Sequence, residues 1–241
     1  RLCRDWSSDV CSSDLAYHPF MSNYIKKLIQ QGEHLKQDFK FQVNDSRKIA
    51  KTFSAFANTA GGKLLIGVKD NGVVAGVKTE EEYYMIQAAT QLYCRPEIDL
   101  AYRSWSIDGK TVLEIDVPII ENKPCLAEND EGKWVAYIRI KDQNIIASPI
   151  MLKYWRRLSS NAGAFIRYSD KEKKLLDFLN ENPFITVGRF CRIASIPNYL
   201  AENILVNLII SGVIEIGHNE KFTWFRLADP GSNSSLFKDE E

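Results

Sequence analysis

The stretch AFANTAGGKLLIGVKDNGVVAG, residues 55–76, combines glycine pivots, a lysine and an Asp-Asn-Gly turn, which are residue types able to bind phosphate or metal. A glycine-rich loop binds ATP phosphates when it leads from a strand into a helix, because backbone N–H groups and the helix N-terminus then face the anion. Here Gly61, Gly62 and Lys63 follow a predicted helix and precede a predicted strand, and Leu64 replaces the Mg²⁺-binding hydroxyl. We therefore predict that this is not an ATPase phosphate loop.

The elements around this stretch alternate between helix and strand signals. Helices are predicted over 22–31 and 46–59, and strands over 35–41, 63–69 and 73–77. Gly32 is expected to end the first helix, and Asn71-Gly72 to form a two-residue hairpin turn, since both central positions of such a turn need positive φ. The period of two along 35–41 places Asp38 and Lys40 on one face of that strand.

The same mixture of elements continues towards the C-terminus. A capping box at Thr79 and Glu82 predicts a helix, Asp108-Gly109 predicts a hairpin, and 134–140 predicts a strand. Ser148-Pro149 predicts the start of another helix. The fold class expected from this order is α+β.

The chain is expected to contain two domains, over 22–157 and 169–228, joined by a Ser/Gly/Ala-rich linker at 158–168. The second segment has the order helix, helix, helix, hairpin, which is the plan of a small winged helix-turn-helix domain. The polar tail 229–241 is predicted to be disordered. Residues 1–15, RLCRDWSSDVCSSDL, resemble the translation of a sequencing-library adapter and are expected to be no part of the folded domains.

The composition is that of a globular protein, with 45% hydrophobic and 26% charged residues and a formal net charge of zero. No run reaches the length of a membrane-spanning helix, and no secretion signal opens the chain, so a cytoplasmic protein is expected. Residues 22–168 carry 21 Lys and Arg against 17 Asp and Glu, and 169–228 carry seven of each. Any binding of phosphates must therefore come from local patches.

The order of motifs resembles the Schlafen-type AlbA_2 domain. The matching residues, in family order, are Glu33, Asp38-Phe39-Lys40, Ala55-Phe56-Ala57-Asn58-Thr59, Gly61-Gly62, Leu65-Ile66-Gly67-Val68 and Asp70. With the later strands and Arg139, the resemblance covers about residues 23–157. It implies a mixed or antiparallel sheet with helices. Bacterial members often carry a C-terminal winged helix, and many are catalogued as transcriptional regulators or as ATP-binding proteins.

The resemblance also implies a metal site. Schlafen-type nucleases place two glutamates and an aspartate around a divalent metal to cleave RNA, and these roles fall on Glu33, Asp38 and Asp70. Carboxylates are suitable ligands for Mg²⁺ or Mn²⁺, and Lys40 could meet a phosphate oxygen or the transition-state charge. Asp38 departs from the family pattern, which has the longer Glu there.

A purely structural interpretation exists for each of these residues. Asp70 could bond its own turn, Glu33 could be a solvated loop acid, and Asp38 and Lys40 could be cross-strand charges. Asn58 could cap its own helix. Backbone requirements are the expected reason for the motif glycines, which are Gly61, Gly62, Gly67 and Gly72.

Binding of nucleic acid would depend on basic side chains, with tryptophans at 105, 134 or 155 nearby. The candidates in the first domain are Arg139, Lys141, Lys153, Arg156 and Arg157, and those in the second are Arg189, Arg192, Lys221 and Arg226. The predicted third helix of the second domain contains Glu202 and no Lys or Arg, which leaves base recognition to its asparagines at 198, 203 and 207. Its apolar LVNLII run could instead mediate self-association.

Three hypotheses follow from the sequence. The first is a nucleic-acid-binding protein, a DNA-binding transcriptional regulator, with DNA or RNA as partner, no membrane association and possible homo-oligomers. The second is an endoribonuclease that acts on tRNA-type or rRNA-type substrates with Mg²⁺ or Mn²⁺; otherwise the cofactor is unknown. The third is a non-catalytic assembly platform.

Overall fold

A computed structural model describes residues 19–77, 81–160, 168–219 and 221–229, with side chains described from residue 23 onward. The predictions for residues 1–15, for most of the linker and for almost all of the tail lie outside the described residues. Within these ranges the architecture is α+β, as the sequence predicts.

The described ranges contain seven helices and ten strands. The helices are α1 (Pro19–Gln31), α2 (Ser46–Asn58), α3 (Glu81–Gln91), α4 (Pro149–Ser159), α5 (Asp170–Glu181), α6 (Val187–Ala194) and α7 (Asn198–Ile210). The strands are β1 (Gln37–Lys40), β2 (Gly62–Ile66), β3 (Cys94–Arg95), β4 (Ala101–Ile107), β5 (Lys110–Val117), β6 (Leu126–Glu128), β7 (Trp134–Ile140), β8 (Gln143–Ile146), β9 (Ile214–His218) and β10 (Thr223–Leu227).

The first sheet has the strand order β1-β2-β5-β4. Strands β1 and β2 are parallel, with Asp38 opposite Leu64, and the remaining pairs are antiparallel. A parallel pair needs a crossover connection, which α2 supplies. Asp45 caps this helix by accepting a hydrogen bond from the Arg47 N–H.

The second sheet is antiparallel, in the order β3-β6-β7-β8. Helix α2 lies between the two sheets: Phe53 and Phe56 share one core with Leu64 and Ile115 of the first sheet and with Tyr137 of the second. Helix α1 covers the opposite face of the first sheet, where Ile25 packs in a smaller core. Burial of α2 on nearly every side explains its many apolar and small residues.

The region after β2 differs from the predicted hairpin. The turn does bring the chain back beside residues 67–69, where Val68 and Val74 form an isolated bridge and the Lys69 N–H donates to the Val73 carbonyl. Residues 73–77 nevertheless do not form a regular strand along β2. The antiparallel partner of β2 is β5, about fifty residues further along the chain. The return segment bonds to residues 67–69, beyond the end of β2, whereas β5 is a long, largely buried strand that pairs with β2 along its whole length.

The C-terminal unit consists of α5, α6 and α7 followed by the antiparallel pair β9 and β10. A bridge between Ile185 and Phe225 adds a short third strand segment. The core of this unit also contains Met151 and Trp155 of α4 and Ile138 of β7. Helix α4, which precedes the predicted boundary at 158–168, therefore contributes to the C-terminal core. Assignment of the unit to the winged helix-turn-helix class remains a prediction.

The apolar run in α7 faces the interior of the same chain. Leu205, Val206 and Leu208 are all buried in the core of the C-terminal unit. The prediction that this run mediates self-association is thus contradicted. Its side chains are already covered by the other helices.

Within the described ranges, none of the helices taken alone has both the length and the apolar composition needed to cross a membrane; α6 and α7 reach those limits only as a pair bent by 109°.

Candidate functional site

A cluster of charged side chains lies where α1 ends and β1 begins. Gly32 follows α1 with φ +74°, a left-handed conformation that turns the chain sharply and is favourable for glycine. His34 and Gln37 then form a bridge that leads directly into β1. This tight turn brings Glu33 back alongside the strand, so that its carboxylate accepts a hydrogen bond of 2.9 Å from the Phe39 N–H.

Asp38 is the centre of the cluster. It is only 3% exposed. Its Oδ2 lies 3.0 Å from the Lys40 Nζ, and its Oδ1 lies 3.3 Å from the Arg139 Nη2. Each carboxylate oxygen is therefore paired with a cation, which is the arrangement that a buried charge requires.

Glu33 and Asp38 also interact with each other. Burial, and then the hydrogen bond to Asp38, raise the pKa of Glu33 from 4.5 to about 7. Burial also raises the pKa of Asp38, but the bond with Glu33 and the charges of Lys40 and Arg139 outweigh it and hold that pKa below its ordinary value. Below about pH 7, the protonated form of Glu33 therefore predominates and can donate to the Asp38 carboxylate.

Arg139 lies in the interior, contrary to the predicted phosphate-binding surface. It is 1% exposed, and its guanidinium donates to the His34 carbonyl at 3.0 Å and to the Gln37 carbonyl at 2.9 Å. It also donates to Asn144 at 2.9 Å. The bonds to His34 and Gln37 hold the planar guanidinium against backbone carbonyls at the start of β1. The Arg139 side chain therefore does not face solvent.

Asp70 does not join the other two acids. Its side chain is exposed, in the turn closed by the bond from the Gly72 N–H to the Lys69 carbonyl. Among the residues that the structure describes, no three His, Cys, Asp or Glu side chains come together closely enough to hold a metal ion. The predicted metal set of Glu33, Asp38 and Asp70 is therefore not assembled. With two cations already on Asp38, these residues do not fit a divalent metal in this arrangement.

Asn58 has a structural role rather than the predicted cap of its own helix. Its side-chain amide accepts from the Cys125 N–H at 2.7 Å and donates to the carbonyls of Cys125 and Tyr137 at 2.8 and 2.9 Å. It thereby attaches α2 to the second sheet.

Among the motif glycines, Gly62 is required because there is no room for a side chain: a Cβ at this position would lie 2.5 Å from the Phe56 ring.

Lys63, the lysine of the glycine stretch, is paired within the first sheet. Its Nζ lies 2.7 Å from the Glu114 Oε1 and also bonds Asp116. Glu114 is 1% exposed and accepts further bonds from the Tyr24 hydroxyl at 2.8 Å and the Trp105 indole at 2.7 Å. This buried network links α1 to β2, β4 and β5. The sequence held no signal for it, because its members are far apart in the chain.

The remaining predicted cations divide by accessibility. The exposed ones are Lys141, Arg156, Arg189, Arg192 and Lys221, and the half-buried ones are Lys40, Lys153, Arg157 and Arg226. Lys153 is 2.6 Å from Glu202 of α7, and Arg226 is 3.2 Å from Glu215. Of the three tryptophans, Trp155 is buried in the core and unavailable for base stacking.

Two contacts between an arginine and an aromatic ring were not predicted from the sequence. Arg95 lies over the Trp134 ring at 3.9 Å, and Arg47 lies over the Tyr93 ring at 4.9 Å. Each pair joins residues from different elements, so spacing along the chain does not reveal it.

Residues 33–148 match the family model described as Schlafen, AlbA_2. The chain carries a Schlafen AlbA_2 domain. The resemblance stated from the motifs is thus confirmed over this range, and the AlbA_2 family indicates a function related to nucleic acids. No curated protein matches the sequence significantly.

Two solved structures show a likeness to this chain. One is the DIP2311 protein from Corynebacterium diphtheriae, with 15% identity and a TM-score of 0.42 over 67% of this chain and 33% of the other. The other is the N-terminal domain of a RecG-related protein from Nitrosomonas europaea, with 20% identity and a TM-score of 0.36 over 53% of this chain and 95% of the other. The chain thus spans about a third of the length of the DIP2311 protein.

Proposed function

We propose that this protein binds DNA through its C-terminal unit and acts as a transcriptional regulator in which the AlbA_2 domain is not catalytic. The observation that carries the proposal is the set of polar side chains on the outer faces of α6 and α7. Arg189 and Arg192 are exposed on α6, and Tyr199 and Asn203 are exposed on α7. Arginine contacts phosphates, and asparagine reads adenine edges in the major groove.

The negative charge of Glu202 in α7 is compensated by neighbouring side chains. The Glu202 Oε2 lies 2.6 Å from the Lys153 Nζ of α4, and its Oε1 accepts a hydrogen bond of 2.9 Å from the Asn198 side chain. The negative charge that made α7 look unsuitable for DNA is therefore neutralised from within the chain. Because Lys153 is paired with Glu202, it is no longer a candidate for phosphate binding.

The hairpin after α7 supports the same proposal. Lys221 is exposed in the connection between β9 and β10. In a winged helix, the helix before the recognition helix and the tip of the hairpin flank the groove on either side. Exposed cations at Arg189, Arg192 and Lys221 correspond to these flanking positions.

The carboxylate pair of Glu33 and Asp38 supports the proposal that the AlbA_2 domain is not catalytic. Nuclease chemistry of the Schlafen type would need Asp70 beside Glu33 and Asp38, together with ionised oxygens free to bind a metal. Asp38 instead has a cation at each oxygen, and Glu33 accepts from β1 and shares a proton with Asp38. We propose that the pair stabilises the start of β1.

Fluorescence anisotropy with a 30-base-pair duplex in EDTA tests DNA binding. The double variant Arg189→Ala/Arg192→Ala should weaken binding at least tenfold at 50 mM salt and lower the slope of log K against log salt by about 2, because each lost phosphate contact removes about one released counterion. The matched control is Lys48→Ala/Lys133→Ala, which removes the same charge from exposed positions of the AlbA_2 domain. It should leave both quantities nearly unchanged.

Two results would count against the proposal. If the wild type forms no complex with duplex DNA at 50 mM salt, the binding function is wrong. If the control variant loses as much affinity as the α6 variant, the C-terminal surface is not the interface.

A separate assay tests the non-catalytic part. Labelled tRNA incubated with the wild type and Mn²⁺ should remain intact. Cleavage that disappears in Asp70→Ala would show that the three acids assemble on the substrate, and would establish the nuclease instead.

A further inference from the structure

A groove of about 1010 Å³ runs along α3, between this helix and the extended segment 97–102 that leads into β4. Tyr83 and Tyr84 line the helical side, and Tyr102 lines the other. All three tyrosines are exposed, Tyr84 at 69%. The groove therefore presents aromatic surface to solvent without any occupant from the described parts of the chain.

One wall of the groove leads into a sheet edge. In the described residues, β4 pairs only with β5 and is the last strand of the first sheet. Natural proteins usually protect such edges, since their unpaired N–H and C=O groups can accept another strand. Peptide-binding domains use this edge deliberately, with a helix as the second wall.

The β4–β5 turn determines which backbone groups point outward. Asp108 and Gly109 both have positive φ, at 49° and 75°, as a two-residue hairpin turn requires. The Ile107–Lys110 pair that closes this turn is hydrogen-bonded, and such pairs alternate along the strands. Tyr102, Ser104 and Ser106 therefore direct their N–H and C=O groups away from β5.

The same residues face α3. The Ser104 hydroxyl lies 2.8 Å from the Tyr83 hydroxyl, so the Tyr83 side chain of α3 reaches the face of β4 next to its outward edge. An added strand would place alternate side chains against the helix and use the backbone of β4 for its hydrogen bonds.

The groove is lined by acidic side chains, which favours a positively charged occupant. Glu97 and Asp99 are exposed on the wall formed by 97–102, and both lie close enough to the Tyr102 hydroxyl for their charges to raise its pKa, after burial. The described residues that line the groove include no Lys, Arg or His. Carboxylates and tyrosine rings together attract cations, and they repel a nucleic-acid backbone.

We propose that this groove binds an extended, Lys- or Arg-bearing peptide segment of a partner protein, which adds as a strand to the edge of β4. The site is separate from the proposed DNA-binding surface and does not depend on it. Helix α3 has eleven residues, a length of about 16 Å. About five residues of an extended peptide would match it.

The probe is a fluorescein-labelled peptide with blocked ends, Thr-Arg-Val-Lys-Val-Arg-Thr, titrated against the full chain and followed by anisotropy. Saturable binding is expected. Replacing both valines by proline keeps the charge but prevents backbone pairing, and should reduce affinity at least tenfold. Replacing the three basic residues by glutamate should abolish binding.

Variants of the protein test the two contributions separately. Ser104→Pro removes one outward N–H without removing a bond to β5, and should weaken binding at least tenfold, whereas Ser104→Ala keeps that N–H and should stay within twofold of the wild type. Glu97→Gln/Asp99→Asn should weaken binding at least fivefold and reduce its dependence on salt. Circular dichroism and thermal unfolding confirm that each variant is folded.

The proposal is overturned if the wild type does not bind the basic peptide at 1 mM, or if the proline peptide binds equally well. It is also overturned if sedimentation shows a wild-type dimer that Ser104→Pro dissociates, because the occupant of the edge would then be a second copy of the chain.

Discussion

Replacing Glu33 by Gln provides a sensitive test of the carboxylate cluster. A glutamine amide can donate to Asp38 as the protonated acid does, and its carbonyl can accept from the Phe39 N–H. The variant therefore retains both bonds but cannot ionise. It mimics the low-pH form of the wild type at every pH.

The direction of the effect follows from the pKa of Glu33, which burial and the bond to Asp38 raise from 4.5 to about 7. Because the folded state binds this proton more tightly than the unfolded chain, the proton contributes its full stabilisation below pH 4.5, and this contribution is lost as the pH rises through 7. Wild-type stability should fall across that interval. The glutamine variant should lack this component.

The magnitude can be bounded from the same shift. Fully expressed, it corresponds to roughly 3 kcal/mol. Glu33 is only partly buried, so solvent screening reduces the effect. We expect Glu33→Gln to exceed the wild type by about 1 to 2 kcal/mol at pH 8 and by only about a quarter of that amount at pH 5.

Urea unfolding at pH 5, 6, 7 and 8, followed by tryptophan fluorescence, measures this difference. Other titrating groups, including His218 with a pKa lowered by burial to about 4, are common to both proteins and cancel in the comparison. Glu121→Gln, at an exposed acid, is the control and should show no pH-dependent gain. A difference between wild type and Glu33→Gln that is the same at pH 5 and pH 8 would refute the shared proton.

Three further substitutions test the buried framework by urea unfolding. Arg139→Ala leaves Asp38 with an uncompensated buried charge and should cost about 3 to 5 kcal/mol; a loss below 1 kcal/mol would mean that Lys40 suffices. Asn58→Ala leaves the buried backbone N–H of Cys125 without an acceptor and should cost about 1 to 3 kcal/mol, and a near-neutral result would contradict this role. Gly62→Ala places a methyl group against an α2 ring and should cost about 1 to 3 kcal/mol, whereas an unchanged midpoint would show that the ring moves freely.

The predictions that succeeded depended on near neighbours in the chain. Gly32 ends α1 with a positive φ, and Asp108-Gly109 forms the predicted turn. Ser148-Pro149 begins α4, as predicted. Each involves residues within about four positions of one another, where steric and hydrogen-bonding rules act directly.

The predictions that failed concerned strand pairing and hydrogen bonds between residues that are far apart in the chain. The Asn71-Gly72 turn was expected to return a strand along β2; the returning segment bonds to residues 67–69, beyond the end of β2, and β5 pairs with β2 itself. Arg139 was expected at the surface because arginines usually lie there. Its burial depends on carbonyls of β1 about a hundred residues away, which no local pattern reveals.

By itself, the sequence determined where helices stop, where tight turns form, and that the chain carries the motifs of the AlbA_2 family. Only the tertiary structure decided that Asp38 is held by Lys40 and Arg139, that Asp70 stands apart, and that β4 is an open edge beside α3. The physical reason is that backbone conformation responds to neighbouring residues, whereas the state of a charge depends on burial and on partners that meet only when the chain has folded.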